Sequence, residues 1–393
     1  MTIAASAGVE APPAGQYVLD FESLADSVRK HPGWWGLAVL AILSPFIHRT
    51  IRRWIASRTV EGAIARFPPV LSARERTEAW IQRISENAAG WNYVIRFQPW
   101  VTAADLTDES LIVMNEEGKI ASVSLDTFAV TGRALDPSIL FKTLASISKP
   151  LWNVRFAQAG DDLLLVGRDA HGRIKGMRFQ VPSFDKGRRV PAPRSLHRVL
   201  RIFTWGKRDW AVGESLEERQ LLTRKRNGWW PSRWREERPA ELRHGAILTL
   251  SSGYEPILAG KLPEDPGHLW LFRKELEGNK NSDWKAVAKT DSNGQECLMH
   301  VTPRRGFLVE TTEKSRRLRV HLFARDAKGG FNVRVSNTVP VPCTARYFAL
   351  SMAQDFLFVL GREDSPSNGS LSGFVLLVAY LGDLLRIPAK AED

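Results

Sequence analysis

Side chains able to do chemistry are spread thinly along this 393-residue chain. Its eight histidines are His31, His48, His171, His197, His244, His268, His300 and His321. No two stand four residues apart, and neither HExxH nor HxH occurs, so no single helix or strand presents two imidazoles to one metal ion. Ligands gathered from distant segments stay compatible with this spacing. Cys297 and Cys343 form no CxxC element, which leaves neither a disulfide framework nor a zinc knuckle. There is no G-x-S-x-G elbow, Walker A loop or dinucleotide fingerprint. Asp161-Asp162 is a carboxylate pair, yet neighbours on a strand face opposite sides, so the pair is expected in a hairpin turn. On these patterns no catalytic residue, metal ligand or cofactor is assigned.

The strongest candidate for binding is a basic, indole-rich window. Residues 186–238 hold fifteen Lys/Arg against six Asp/Glu, nine of the chain's net +12. Five of the 14 tryptophans, Trp205, Trp210, Trp229, Trp230 and Trp234, fall in it. Around "RKRNGWWPSRWR" the expected partner-binding residues are Arg224, Lys225, Arg226, Trp229, Trp230, Arg233, Trp234 and Arg235. Cations beside exposed indoles suit an acidic protein face, anionic lipid head groups or stackable nucleotides. A protein partner in a membrane complex is the leading expectation, with an anionic lipid surface second. Nucleic acid ranks lower, because the charge is local and no nucleic-acid motif accompanies it. The alternative packs the tryptophans inside the fold and leaves the cations as a solvated rim.

A second signal bears on location. Residues 32–47 carry no charge, slightly short of the ~17–20 apolar residues that span a bilayer. Trp34 and Trp35 suit one interface, and Arg49, Arg52 and Arg53 the other, where arginine can snorkel. Leu37, Leu40, Ile42, Leu43, Phe46 and Ile47 supply the apolar body. Residues 31–55 are therefore expected to form a membrane-associated helix, spanning or dipping into one leaflet. The greater positive charge after the run places the bulk of the chain in the cytoplasm. The alternative is a hydrophobic helix packed on the main domain.

Those candidates need a scaffold. Residues 1–30 read as a disordered or short helical N-terminus. Residues 56–90 read as a helical connector, with a capping box at Ser72 and Glu75 and an apolar face of Trp80, Ile81 and Ile84. From residue 91 to 390 the pattern is short runs of strand formers bounded by Gly, Asp, Asn and Pro, with helical excursions at 135–148 and 214–225.

"LLLVGRDAHGRIKGMRFQVP" (163–182) parallels "HLFARDAKGGFNVRVSNTVP" (321–340): an apolar strand, Arg-Asp-Ala-x-Gly, then an alternating strand. Neither "GRDAHG" nor "ARDAKGG" leads into a helix, so both read as turns and not as phosphate loops. Echoes put turns near 116, 169, 226, 276, 327 and 366, a period near 50 residues. In these repeats the chain resembles the β-propeller superfamily in general, with about six four-stranded blades. No WD, kelch or Asp-box motif narrows it further. The expected fold is thus mainly β: a propeller of about six blades preceded by an N-terminal helical, membrane-associated segment. The resemblance implies a rigid disc whose loops bind a macromolecule, a non-enzymatic scaffold or assembly subunit. Alternatives are a lactonase-like or glycoside-acting hydrolase using the propeller channel, and a nucleic-acid module using window 186–238.

Overall fold

Several strands of this chain are continuous apolar runs without polar alternation. That pattern belongs to strands covered on both faces. In the computed structural model this is the position they occupy. The residues described are 80–384, apart from 89, 131–140, 148, 150, 182–186, 226–232, 275–283, 293, 295, 312–316, 327–329, 342–344 and 364–372. Asp162–Arg168, Arg208–Glu214, Arg305–Thr311 and Phe356–Glu363 each carry at least five consecutive buried residues. Each is the second strand of an antiparallel sheet.

There are six such sheets. Their first strands are Val101–Leu106, Trp152–Ala159, Arg198–Trp205, Ala246–Leu250, Cys297–Val301 and Ala345–Ala353. These define blades 1 to 6 and begin 46 to 51 residues apart. Neighbouring blades contact one another around a ring: first strand against first strand at five junctions, and the third strand of blade 3 against the first strand of blade 4 at the sixth. Six buried hydrophobic clusters fill the six junctions between neighbouring blades. This is a six-bladed β-propeller. Blade 6 closes it: Ala345–Ala353, Phe356–Glu363 and Phe374–Tyr380 pair onward to Trp91–Phe97 and then Ile81–Ala88. Both ends of the described chain therefore share one sheet. Blade 5 also gains Ser252–Gly253, a short parallel partner of its first strand.

Four sequence expectations change. The helical connector does not reach residue 90, because Ile81–Ala88 is a strand. A register shift between Ile81 and Arg83 sets Ile81 opposite Phe97 and Ile84 opposite Ile95, so both isoleucines reach one face although they stand three apart. That bulge mimics helical spacing. The propeller thus starts at 81, not 91. The helical excursions show no helix where described and instead contain the strands Lys142–Ser146 and Arg219–Lys225. The repeat was legible, but its phase was not. Positions 116, 169 and 366 fall between second and third strands, whereas 226, 276 and 327 fall between third and fourth. Asp169 and Asp326 explain the likeness, since each accepts the N–H four residues on, from Arg173 and Gly330. This turn chemistry marks a hairpin and not its place in a blade. Asp161 lies in a turn, as its pairing with Asp162 suggested.

Residues 1–79, including the apolar run 31–55 and the first part of the connector, lie outside the described residues. Among the described residues no helix is long and apolar enough to cross a membrane.

Candidate functional site

First strands deliver side chains to the propeller axis, and this chain sends arginines there. Arg155 of blade 2 and Arg201 of blade 3 are both buried. Arg155 donates from Nε to the Leu200 carbonyl at 2.7 Å, and its guanidinium lies 4.9 Å from the Phe348 ring centre. Arg201 reaches across to blade 6, where Nη2 donates to the Leu350 carbonyl at 3.2 Å. Ser252 Oγ donates to the same carbonyl at 3.1 Å, using its second lone pair. These bonds join three sides of the ring at the waist of the channel.

Acidic groups near the arginines are few and well bonded. Asp105 of blade 1 is buried and accepts the N–H groups of Leu106 (3.0 Å) and Phe156 (3.1 Å). Burial raises its carboxyl above the usual range, partly offset by Arg155. Burial likewise pulls both Arg155 and Arg201 below the ordinary arginine value, with Asp105 opposing. At the turn after that strand, Asp108 keeps exposed surface yet is crowded by protein. Desolvation pushes its carboxyl up to about 6, against the pull of Arg201 and the Gly253 N–H. His300 Nδ1 lies 2.9 Å from Ser252 Oγ. Burial, reinforced by Arg201, pushes the imidazole down to about 3, which leaves little driving force to take a proton at neutral pH. Ser252 and His300 are both buried at the waist and bonded to one another.

Arg201 separates two cavities. The smaller, about 20 Å³, is bounded by Asp108, Ser252 and Gly253. The larger, about 210 Å³, is lined by Arg155, Arg198, Arg201, Arg219, Glu296 and Phe348 among others. Arg198 and Arg219 share Glu214 at 3.6 and 3.7 Å, and Arg219 also donates to the Leu248 carbonyl at 2.7 Å. Among the described residues, buried Arg201 Nη1 has no hydrogen-bond partner. The chamber thus sets four arginines against one glutamate among mostly apolar side chains. Cys297 also lines it, and burial raises its thiol, so it is not a poised nucleophile. Among the described residues no group of three or more metal-ligating side chains gathers.

The window singled out in the sequence divides three ways. Arg224 is buried against Asp209, with Nε at 2.9 Å and Nη2 at 2.7 Å, and so is not on an open face. Trp234 packs half-buried between blades 2 and 3 beneath Arg224, and its Nε1 donates to the Pro191 carbonyl. Trp210 is fully buried, and Trp205 Nε1 bonds the Tyr254 carbonyl. Lys225, Arg233 and Arg235 are exposed at the outer edge of blade 3. Arg226, Trp229 and Trp230 lie outside the described residues. The membrane residues Trp34 to Arg53 do too. The channel arginines were missed individually. Arg198, Arg201 and Arg219 nevertheless fall inside the charged window, and that excess was the signal that could have found them.

No protein-family model matches the chain, and no curated protein matches it either. Solved structures are similar at low identity. The PQQ-bound aldose sugar dehydrogenase from Streptomyces coelicolor shares 11% identity at a TM-score of 0.39, covering 72% of this chain and 97% of that one. The SapL1 lectin in complex with alpha methyl fucoside shares 12% at 0.43, covering 71% and 93%. TolB from Acinetobacter baumannii shares 9% at 0.37, covering 77% and 64%. At these values nothing about activity transfers.

Proposed function

We propose that the propeller is a binding module whose larger channel cavity holds a small anion bearing carboxylate or phosphate groups. The observation that supports this reading is that Arg201, whose buried Nη1 has no hydrogen-bond partner among the described residues, lines this chamber together with Arg155, Arg198 and Arg219. A buried donor left without an acceptor costs about 1–3 kcal/mol, which a bound anion would recover. The test is thermal melting with phosphate, sulfate, succinate or citrate against chloride at matched ionic strength. Saturation at 100 times Kd adds about 2.7 kcal/mol, a rise of several degrees. Arg201→Met should abolish that rise. If no anion outperforms chloride, the reading is wrong.

A second reading follows the exposed Lys225, Arg233 and Arg235. With residues 31–55 as a tether, these cations would meet an anionic lipid surface or an acidic protein at the membrane, as expected of a scaffold subunit. Flotation of the full chain with phosphatidylserine vesicles tests it. Deleting residues 31–55 should abolish flotation. Arg233→Glu with Arg235→Glu should weaken it by about thirtyfold or more, since each juxtamembrane cation is worth about 1 kcal/mol. Equal flotation of the deletion and the intact chain would dismiss the tether.

A further inference from the structure

Blade 5 carries a hydrogen-bonded chain of side chains that the channel does not use. Glu310, His321 and Ser336 stand on its second, third and fourth strands, Arg305–Thr311, Arg317–Arg325 and Phe331–Pro340. Register sets His321 directly opposite Ser336. His321 Nε2 lies 2.8 Å from Glu310 Oε2, and His321 Nδ1 lies 2.8 Å from Ser336 Oγ. Buried Ser292, from the segment after the last strand of blade 4, donates to the other Glu310 oxygen. Exposure rises along the chain: the Glu310 and His321 side chains are each 2% exposed, whereas Ser336 is open to solvent.

Ser336 opens onto a groove of about 420 Å³ between the outer strands of blades 4 and 5. Lys289, Asp291, Arg319, Val333 and His268 line it. This is the order of a nucleophile, a base and an orienting carboxylate: the acid is buried and fixed by a second donor, and the hydroxyl is accessible. The imidazole is used in the reverse sense from the familiar serine triad, with Nδ1 toward the hydroxyl. The chemistry needs only that Glu310 accept the Nε2 proton, leaving the Nδ1 lone pair on Ser336. His300 and Ser252 lack this arrangement, because both are buried at the channel waist.

We propose that Ser336, His321 and Glu310 form an acyl-transfer site for small esters carrying a negative charge. Ser336 Oγ bonds to the ester carbonyl carbon while its proton passes to His321 Nδ1. The carbon–alkoxide bond then breaks, and the alkoxide leaves with that proton as an alcohol. A water molecule next attacks the acyl-serine, giving its proton to His321, which returns it to Ser336 Oγ as the acid is released. Glu310 is a positioning residue. Lys289 and Arg319 receive the substrate's charge.

The full-length protein is incubated with a fluorophosphonate probe, and the labelled peptide is mapped by mass spectrometry. Labelling is expected at Ser336, with p-nitrophenyl succinate hydrolysed faster than p-nitrophenyl acetate. Ser336→Ala should lose both activities at an unchanged melting temperature. His321→Gln should slow labelling by about 100-fold or more. Glu310→Gln should displace the pH dependence of the labelling rate, which a purely structural role would not do. Should His321→Gln fail to fold, the wild-type rate decides: it must depend on pH. A flat rate, absent labelling or labelling that survives Ser336→Ala overturns the site. Equal rates on the two esters overturn the preference for charge.

Discussion

Asp209 shows what a single side chain does inside a blade. Its fully buried carboxylate accepts from Arg178 at 2.6 and 2.7 Å, from Arg224 at 2.7 and 2.9 Å and from Thr204 at 3.1 Å. Removing its charge strips buried Arg224 of its bonded carboxylate and leaves Arg178 with Asp162 alone, at 3.3 Å. Asp209→Asn should therefore cost about 3–5 kcal/mol, read as a lower urea midpoint at an unchanged slope. Two channel residues set opposing pH dependences. The Asp108 carboxyl, raised from 3.8 to about 6, binds its proton more tightly folded than unfolded. Its penalty is absent below about pH 4, grows as pH rises and is complete above about pH 6. The His300 imidazole, lowered from 6.5 to about 3, binds its proton less tightly when folded. Its contribution is full above about pH 6.5 and is lost as pH falls toward 3. Asp108→Asn should raise Tm at pH 7 but not at pH 4. His300→Gln should flatten the acid limb of a Tm-against-pH curve.

At the scale of elements, junctions decide more than strands. Ser252–Gly253 crosses from blade 4 to pair with the first strand of blade 5. Gly253 has φ of 103°, and a Cβ there would meet the Val301 carbonyl oxygen. Its N–H also bonds Asp108. Gly253→Ala combines backbone strain of about 1–3 kcal/mol with displacement of that strand. It should lower Tm by several degrees and, by displacing the N–H that pulls the Asp108 carboxyl down, move its titration further above the ordinary range, which carbon-detected NMR of the carboxyl would report. The edge strand Ile81–Ala88 teaches a related lesson. Its bulge places two isoleucines at a helical interval on one face of a sheet, so its period misleads while its burial is clear.

Across the whole molecule, the ring is shut by pairing Trp91–Phe97 with Phe374–Tyr380. Trp91 Nε1 also donates to the Pro340 carbonyl, 249 residues away. A closed propeller has no blade junction left bare, and opening it exposes an apolar face and an unpaired strand edge. A chain starting at residue 98 should lose cooperative melting by circular dichroism and elute as aggregate. A chain starting at residue 71 keeps every described strand and should still melt cooperatively.

The sequence by itself determined that the chain is built of hairpins about 50 residues apart and that strands such as "DLLLVGR" and "FLFVLG" are covered on both faces. Turn chemistry and apolar runs are local properties, readable without a partner strand. It also located the excess of positive charge in residues 186–238. Only the tertiary structure decided where that charge points: Arg198, Arg201 and Arg219 into the channel, Arg224 onto Asp209, and Lys225, Arg233 and Arg235 outward. Glu310, His321 and Ser336 were equally invisible as a group, since cross-strand register and not chain spacing brings them to one face. Direction and register depend on strands closing against one another around a ring, and no single segment carries that information.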